Sequence, residues 1–223
     1  MDDDRCAQYV RELGITVVSV DYRLAAKLPF PAALDDSYAA LKWVASRAQQ
    51  LGVDAERIAI GGASAGGGLA AALAQLAHDR HQVKPVLQFL VAPMLDDRTI
   101  LRPDIDDSNN VTATKEDIQF GWASYLGQEC GSEHVPTYSV PARRKDLSGL
   151  PPAWIGVGSL DLFHDEDVAY AQRLISAGVE CETVIVPGAF HGFDDFDQQN
   201  PIIQGFRKSQ IAALKRYLEV VEN

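Results

Sequence analysis

The chain has 223 residues, 47% of them hydrophobic and 23% charged, with a formal net charge of -11. That length suits one α/β domain over residues 1–223 with a sizeable core, and the acidic surplus argues against nucleic acid or an anionic membrane surface, both of which need a basic footprint. Cys6, Cys130 and Cys181 are odd in number and lack C-x-x-C spacing, so they read as buried, reduced thiols rather than as a disulfide framework or a zinc site. The start has no signal-peptide pattern and no apolar run reaches membrane-spanning length, which leads to the expectation of a cytoplasmic protein if Met1 is the natural start.

Taken in order, residues 15–20 form a largely β-branched run, the pattern of a parallel strand buried on both faces. A helix follows, carrying Leu34, Tyr38, Leu41, Ala45, Ala48 and Leu51 on one stripe and closed by Gly52. Next come a strand around Ile58 and Ile60, an Ala/Leu helix over 69–77, and a strand over 86–91 stopped by Pro93. Residues 94–152 change character. They are rich in Asp, Asn, Ser and Pro, hold one aromatic helical piece over 118–126, and read as an inserted lid. Regularity returns with a strand over 153–158, a helix over about 165–177 capped by Gly178, a strand over 181–186, and a last amphipathic helix bearing Ile211, Leu214, Leu218 and Val221. Alternation of this kind predicts a mostly parallel sheet with helices on both faces.

Function in open α/β sheets gathers where strands end. Gly62-Ala63-Ser64-Ala65-Gly66 fits the nucleophile-elbow pattern G-x-S-x-G between a strand and a helix. A serine hydroxyl needs an imidazole to remove its proton, and the imidazole needs a carboxylate on its other nitrogen. Asp161 leaves the strand over 153–158 and His191 follows the strand over 181–186, so Ser64, Asp161 and His191 supply those parts in the chain order Ser, Asp, His. Asp96, Asp97, Asp165 and Glu166 are weaker alternatives for the acid, the last two reading as helix-start residues. His78, His81, His134 and His164 lie in helical or lid segments and read as solvated. Phe120, Trp122 and Tyr125 are read as packing residues of the lid helix rather than as pocket lining.

These segments resemble the hormone-sensitive-lipase-like esterases, bacterial family IV of the α/β-hydrolases. The resemblance rests on Val17-Val18-Ser19-Val20-Asp21-Tyr22-Arg23-Leu24-Ala25, Pro29-Phe30-Pro31-Ala32-Ala33, the Gly62 to Gly67 elbow, Asp146-Leu147-Ser148-Gly149-Leu150-Pro151-Pro152, Gly158-Ser159-Leu160-Asp161 and His191-Gly192-Phe193. It implies the α/β-hydrolase fold, hydrolysis of small acyl or aryl carboxylic esters without a cofactor or metal, Ser64 as nucleophile, His191 as base and acid, Asp161 as orienting acid, and the Ala65 N–H as an oxyanion donor. Ala63 stands where many relatives carry Asp, and Ala26-Lys27 replaces the usual Pro-Glu.

A larger departure is that no His-Gly-Gly-Gly oxyanion loop occurs in the chain. In the family that loop follows a strand lying between the counterparts of residues 15–20 and 57–61, so the N-terminal strands are expected to be incomplete and turnover slow. A non-catalytic small-ligand-binding protein of the same fold, or a serine hydrolase acting on peptides or lactones, remain alternatives. Exchange of strands within a homo-oligomer would also repair the gap.

Overall fold

The computed structural model describes residues 3–25, 27–105, 108 and 111–220; Ala26 and Val221 lie outside them. Four parallel strands, β1 (Ala59–Ala63), β2 (Leu87–Val91), β3 (Ala153–Gly158) and β4 (Cys181–Val186), pair in the order β1-β2-β3-β4. Among the described residues seven α-helices accompany them: α1 (Asp3–Leu13), α2 (Ala32–Ser46), α3 (Ala48–Leu51), α4 (Ala65–Arg80), α5 (Lys115–Leu126), α6 (His164–Ser176) and α7 (Pro201–Tyr217).

Strand periodicity sorts the core into two layers. Leu87, Phe89, Val91 and Trp154 turn to one face, where they meet Leu13 at the end of α1 and Phe206, Ala213 and Leu214 of α7. Leu90, Ala153 and Ile155 turn to the other, against Ala70 and Ala71 of α4 and Tyr170 and Leu174 of α6. Because both faces are covered, the central strands are apolar at nearly every position rather than alternating. α4 is Ala-rich and buried along most of its length, since it is wedged between the sheet and Leu34 and Leu41 of α2. In residues 94–152, α5 opens with a reciprocal capping box between Thr114 and Asp117 and closes at Gly127 with φ 67°. Trp122 and Tyr125 of α5 pack with Leu162 and Phe163, whereas Phe120 is exposed.

Several expectations need correcting. Residues 15–20 do not form a strand: they run without a ladder, and no backbone hydrogen bond of theirs is recorded among the described residues. β-branched composition favours a strand only where a partner edge is present, and here a cavity of about 580 Å³ separates the segment from β1. The helix expected to run through Leu51 is pinched at Arg47, whose N–H is shared between the Trp43 and Val44 carbonyls, so α3 is a separate short turn before Gly52. The three cysteines, expected to be buried, are half-buried instead.

The most load-sharing point in the sheet is aromatic. Trp154 is fully buried, stacked on Phe89 with ring centroids 4.9 Å apart and flanked by Phe206 at 5.6 Å. Trp154→Ala leaves a cavity that neighbours on two sides cannot fill. It is expected to lower unfolding stability by about 3 to 5 kcal/mol, measured by urea denaturation; a loss under about 1 kcal/mol would contradict this packing.

Candidate active site

β1 delivers the chain into a turn that only small residues permit. Ser64 sits at φ 55°, ψ -122°, a conformation costly for any residue with a Cβ. A Cβ on Gly62 would overlap the Gly66 backbone, one on Gly68 would strike the Met94 carbonyl, and one on Gly67 would lie 2.9 Å from the Pro93 Cβ. The glycines therefore let β1, α4 and residues 93–94 crowd together. Hydrogen bonds fix the result: the Ser64 N–H donates to the Val91 carbonyl at 2.9 Å, and the Ser64 carbonyl accepts from the Gly68 and Met94 N–H groups at 3.0 Å each.

His191 enters from the loop after β4, where Gly192 takes φ 71°. Its Nε2 lies 2.9 Å from Ser64 Oγ and its Nδ1 lies 2.8 Å from Asp161 Oδ2. Asp161, at the end of β3, has its side chain almost wholly buried and accepts a second hydrogen bond on Oδ1 from the Phe163 N–H at 2.9 Å. Because the Asp161 carboxylate can only accept, the network assigns the His191 proton to Nδ1 and leaves the Nε2 lone pair for the Ser64 hydroxyl. The ring is held on its other sides too. Phe163 meets it edge-on with centroids 5.1 Å apart, and Thr112 Oγ1 donates to the His191 carbonyl at 2.8 Å.

Ala65 is the first residue of α4. Its N–H belongs to the first helical turn, where amides have no intrahelical acceptor and the helix dipole is positive. The position beside Ser64 suits an anion developing on a carbonyl oxygen.

The alternative acids are occupied elsewhere. Asp96 is bound by Arg98, fully buried Asp97 is gripped by Arg143 through two hydrogen bonds, and Asp165 pairs with Arg102 and His164. Glu166 does more than begin a helix: it is buried and its Oε1 accepts from the Leu95 N–H at 2.5 Å and the Asp96 N–H at 3.0 Å. It thus braces the loop after β2 against α6. Burial pushes its carboxyl up to about 8. Asp167, the next residue, is fully buried with neither oxygen hydrogen-bonded, and its carboxyl is held well above the usual range by burial, then by Glu166 and Asp161. Nothing in the Asp165-Glu166-Asp167 run announces that burial; only its nearness to Asp161 in sequence was available as a signal. Among the described residues no group of three or more His, Cys, Asp or Glu side chains converges as a metal site.

Glu166 gives a signed dependence on pH. Its folded value of about 8 lies above the ordinary 4.5, so the folded chain holds a proton that the unfolded chain releases, and its contribution to stability is lost as pH rises through that window. Glu166→Gln should flatten the fall in stability between pH 4.5 and 8 relative to the parent, as read from urea midpoints across that range. Parallel pH profiles for the two proteins would show that Glu166 is not protonated in the fold.

Comparison with known proteins gives a consistent set of matches. The family described as the alpha/beta hydrolase fold matches residues 1–195. Carboxylesterase NlhH of Mycobacterium tuberculosis is 40% identical over 204 residues, 91% of this chain and 64% of that protein. An ethyl acetate hydrolase of Pseudomonas putida is 32% identical over 203 residues, 86% of this chain and 60% of its own length. Among solved structures, a bacterial heroin esterase superposes with a TM-score of 0.92 at 37% identity, covering 97% of this chain and 69% of that one. The chain therefore spans less than two thirds of the length of these curated relatives.

Proposed function

The chain belongs to the α/β-hydrolase fold family, and from that premise we propose that it hydrolyses small carboxylic esters through Ser64, His191 and Asp161. The observation that carries the reading is the unbroken chain of contacts from Asp161 Oδ2 to His191 Nδ1 at 2.8 Å and from His191 Nε2 to Ser64 Oγ at 2.9 Å. Ser64 Oγ attacks the ester carbonyl carbon as His191 Nε2 takes its proton, and Asp161 stabilises the imidazolium that forms. The tetrahedral oxyanion faces the Ala65 N–H. Collapse expels the alcohol, protonated by His191, and leaves an acyl-Ser64 ester. Water, deprotonated by the same nitrogen, attacks that ester and regenerates Ser64 with release of the acid. Relatives named for carboxylic esters and for ethyl acetate support small acyl groups as the substrate class.

Residues 94–152 act as a lid segment in this reading, supported by the reach of Thr112 to the His191 carbonyl. The same triad serves peptide or lactone carbonyls equally well in principle, so the leaving group has to be read by substrate comparison. Ligand binding in the same cleft without turnover is the other reading, and reactivity of Ser64 separates the two.

Two measurements separate these outcomes. A fluorophosphonate probe should label the parent protein and not Ser64→Ala, and Asp161→Asn should lower kcat on p-nitrophenyl acetate by about 10⁴-fold. Turnover of that ester should exceed turnover of the matching anilide and of a γ-lactone. A folded sample that resists the probe would favour the ligand-binding reading, and anilide turnover above ester turnover would favour a peptidase.

A further inference from the structure

Asp161 and His191 leave different strands, yet one residue touches both. We infer that the Phe163 ring is a positioning residue for the ester hydrolysis proposed above, on which this role rests: it keeps the His191 imidazole turned to the reacting oxygens while the proton passes from Ser64 to the leaving group.

Phe163 stands two residues after Asp161, at the N-cap of α6. Its backbone N–H donates to Asp161 Oδ1 at 2.9 Å, and its carbonyl accepts from the Asp167 N–H at 2.9 Å. Its side chain, 1% exposed, meets the imidazole with ring centroids 5.1 Å apart and planes at 88°. Acid and base are thus referred to a single residue, the acid through its backbone and the base through its ring. That ring is itself fixed, because it packs in an apolar cluster with Met94, Ile118 and Trp122. The loop bearing His191 is seated close by: the Leu160 N–H donates to the Ala189 carbonyl at 2.9 Å, and a Cβ on Gly158 would overlap the same carbonyl.

The reaction requires such a hold at one particular moment. In the resting site the imidazole has two anchors in its own plane, Asp161 Oδ2 on Nδ1 at 2.8 Å and Ser64 Oγ on Nε2 at 2.9 Å. When Ser64 Oγ bonds to the acyl carbon, its proton passes to Nε2 and the second anchor is given up. The bond from the acyl carbon to the alcohol oxygen then breaks, and the departing oxygen takes that proton. Between these events the bond to Asp161 holds Nδ1 but leaves the ring free to swing about it. A perpendicular aromatic contact opposes that swing. Thr112 holds the backbone carbonyl of His191, whereas Phe163 acts on the ring.

The test uses the whole 223-residue chain. Phe163→Leu keeps the apolar bulk and the backbone N–H but removes the aromatic ring, and Phe163→Met, whose flexible thioether fills irregular space, is a second variant should the first not fold. Leu126→Ala is the control, since it weakens the same apolar cluster from α5. Each protein is read by its rate of Ser64 labelling with a fluorophosphonate, by p-nitrophenyl acetate kinetics and by the nitrogen-15 spectrum of the His191 ring. Loss of the ring should slow labelling and lower kcat by about three- to tenfold, the scale of one edge-to-face pair, with KM within about twofold of the parent. The two ring nitrogen signals should move towards each other. Leu126→Ala should lower the urea midpoint and leave the labelling rate, kcat and the spectrum at parental values. Parental labelling, kcat and spectrum in the Phe163 variants would overturn the inference. An altered spectrum without slower labelling would do so too, and so would equal changes in Leu126→Ala, which would mean general loosening of the cluster. A parent that resists the probe refutes the ester-hydrolysis reading, whereas a labelled parent with indifferent Phe163 variants refutes the role of the ring alone.

Discussion

A single backbone conformation organises the centre of this molecule. Ser64 is held at φ 55°, ψ -122°, and a residue with a side chain persists there only when its surroundings over-determine it. They do so through three hydrogen bonds to Val91, Gly68 and Met94 and through glycines at 62, 67 and 68 that admit neighbouring backbone where a methyl group would collide. The same contacts seat α4 against β1 and β2. The strained turn and the packing of the largest buried helix are therefore one feature, and displacing either displaces the hydroxyl relative to His191.

Around that turn, carboxyl groups are separated by environment. Asp161 has a ring N–H and a backbone N–H to accept, whereas Glu166 accepts from the Leu95 and Asp96 amides without a cationic partner and neither oxygen of Asp167 accepts a hydrogen bond. Burial without a cationic partner favours the neutral acid at Glu166 and Asp167. Asp97, buried just after β2, shows the contrasting solution, since Arg143 meets it directly with a two-pronged contact. That pair ties the loop after β2 to residues 131–143, with the Gly131 N–H adding a third bond.

Legibility in the sequence followed the range of the interactions involved. Strands β1 to β4 and helix α6 were readable within a residue or two because each is specified by local apolar runs and by glycine or proline stops. Ser64, Asp161 and His191 were readable because strand ends and glycine-flanked turns place them where side chains of a parallel sheet converge. Residues 15–20 have the composition of a strand, but a ladder is a property of two segments and no neighbour is in reach. Burial of Glu166 and Asp167 was hidden for the same reason: three acidic residues in a helix's first turn look like dipole partners, and only the packing of α6 against the loop after β2 reveals them as enclosed. The polar composition of α1 signals little until Tyr9 and Leu13 are seen against Phe89 and α7.

The central claim is that one imidazole joins Ser64 to Asp161 in a fixed orientation. Nitrogen-15 NMR of His191 at neutral pH tests it most directly, because the two ring nitrogens report separately which one carries the proton. The account predicts a single ordered tautomer with the proton on Nδ1, coupled in its shift to Asp161, and an unprotonated Nε2 facing the hydroxyl. A ring protonated on Nε2, or one averaging freely between tautomers, would contradict it.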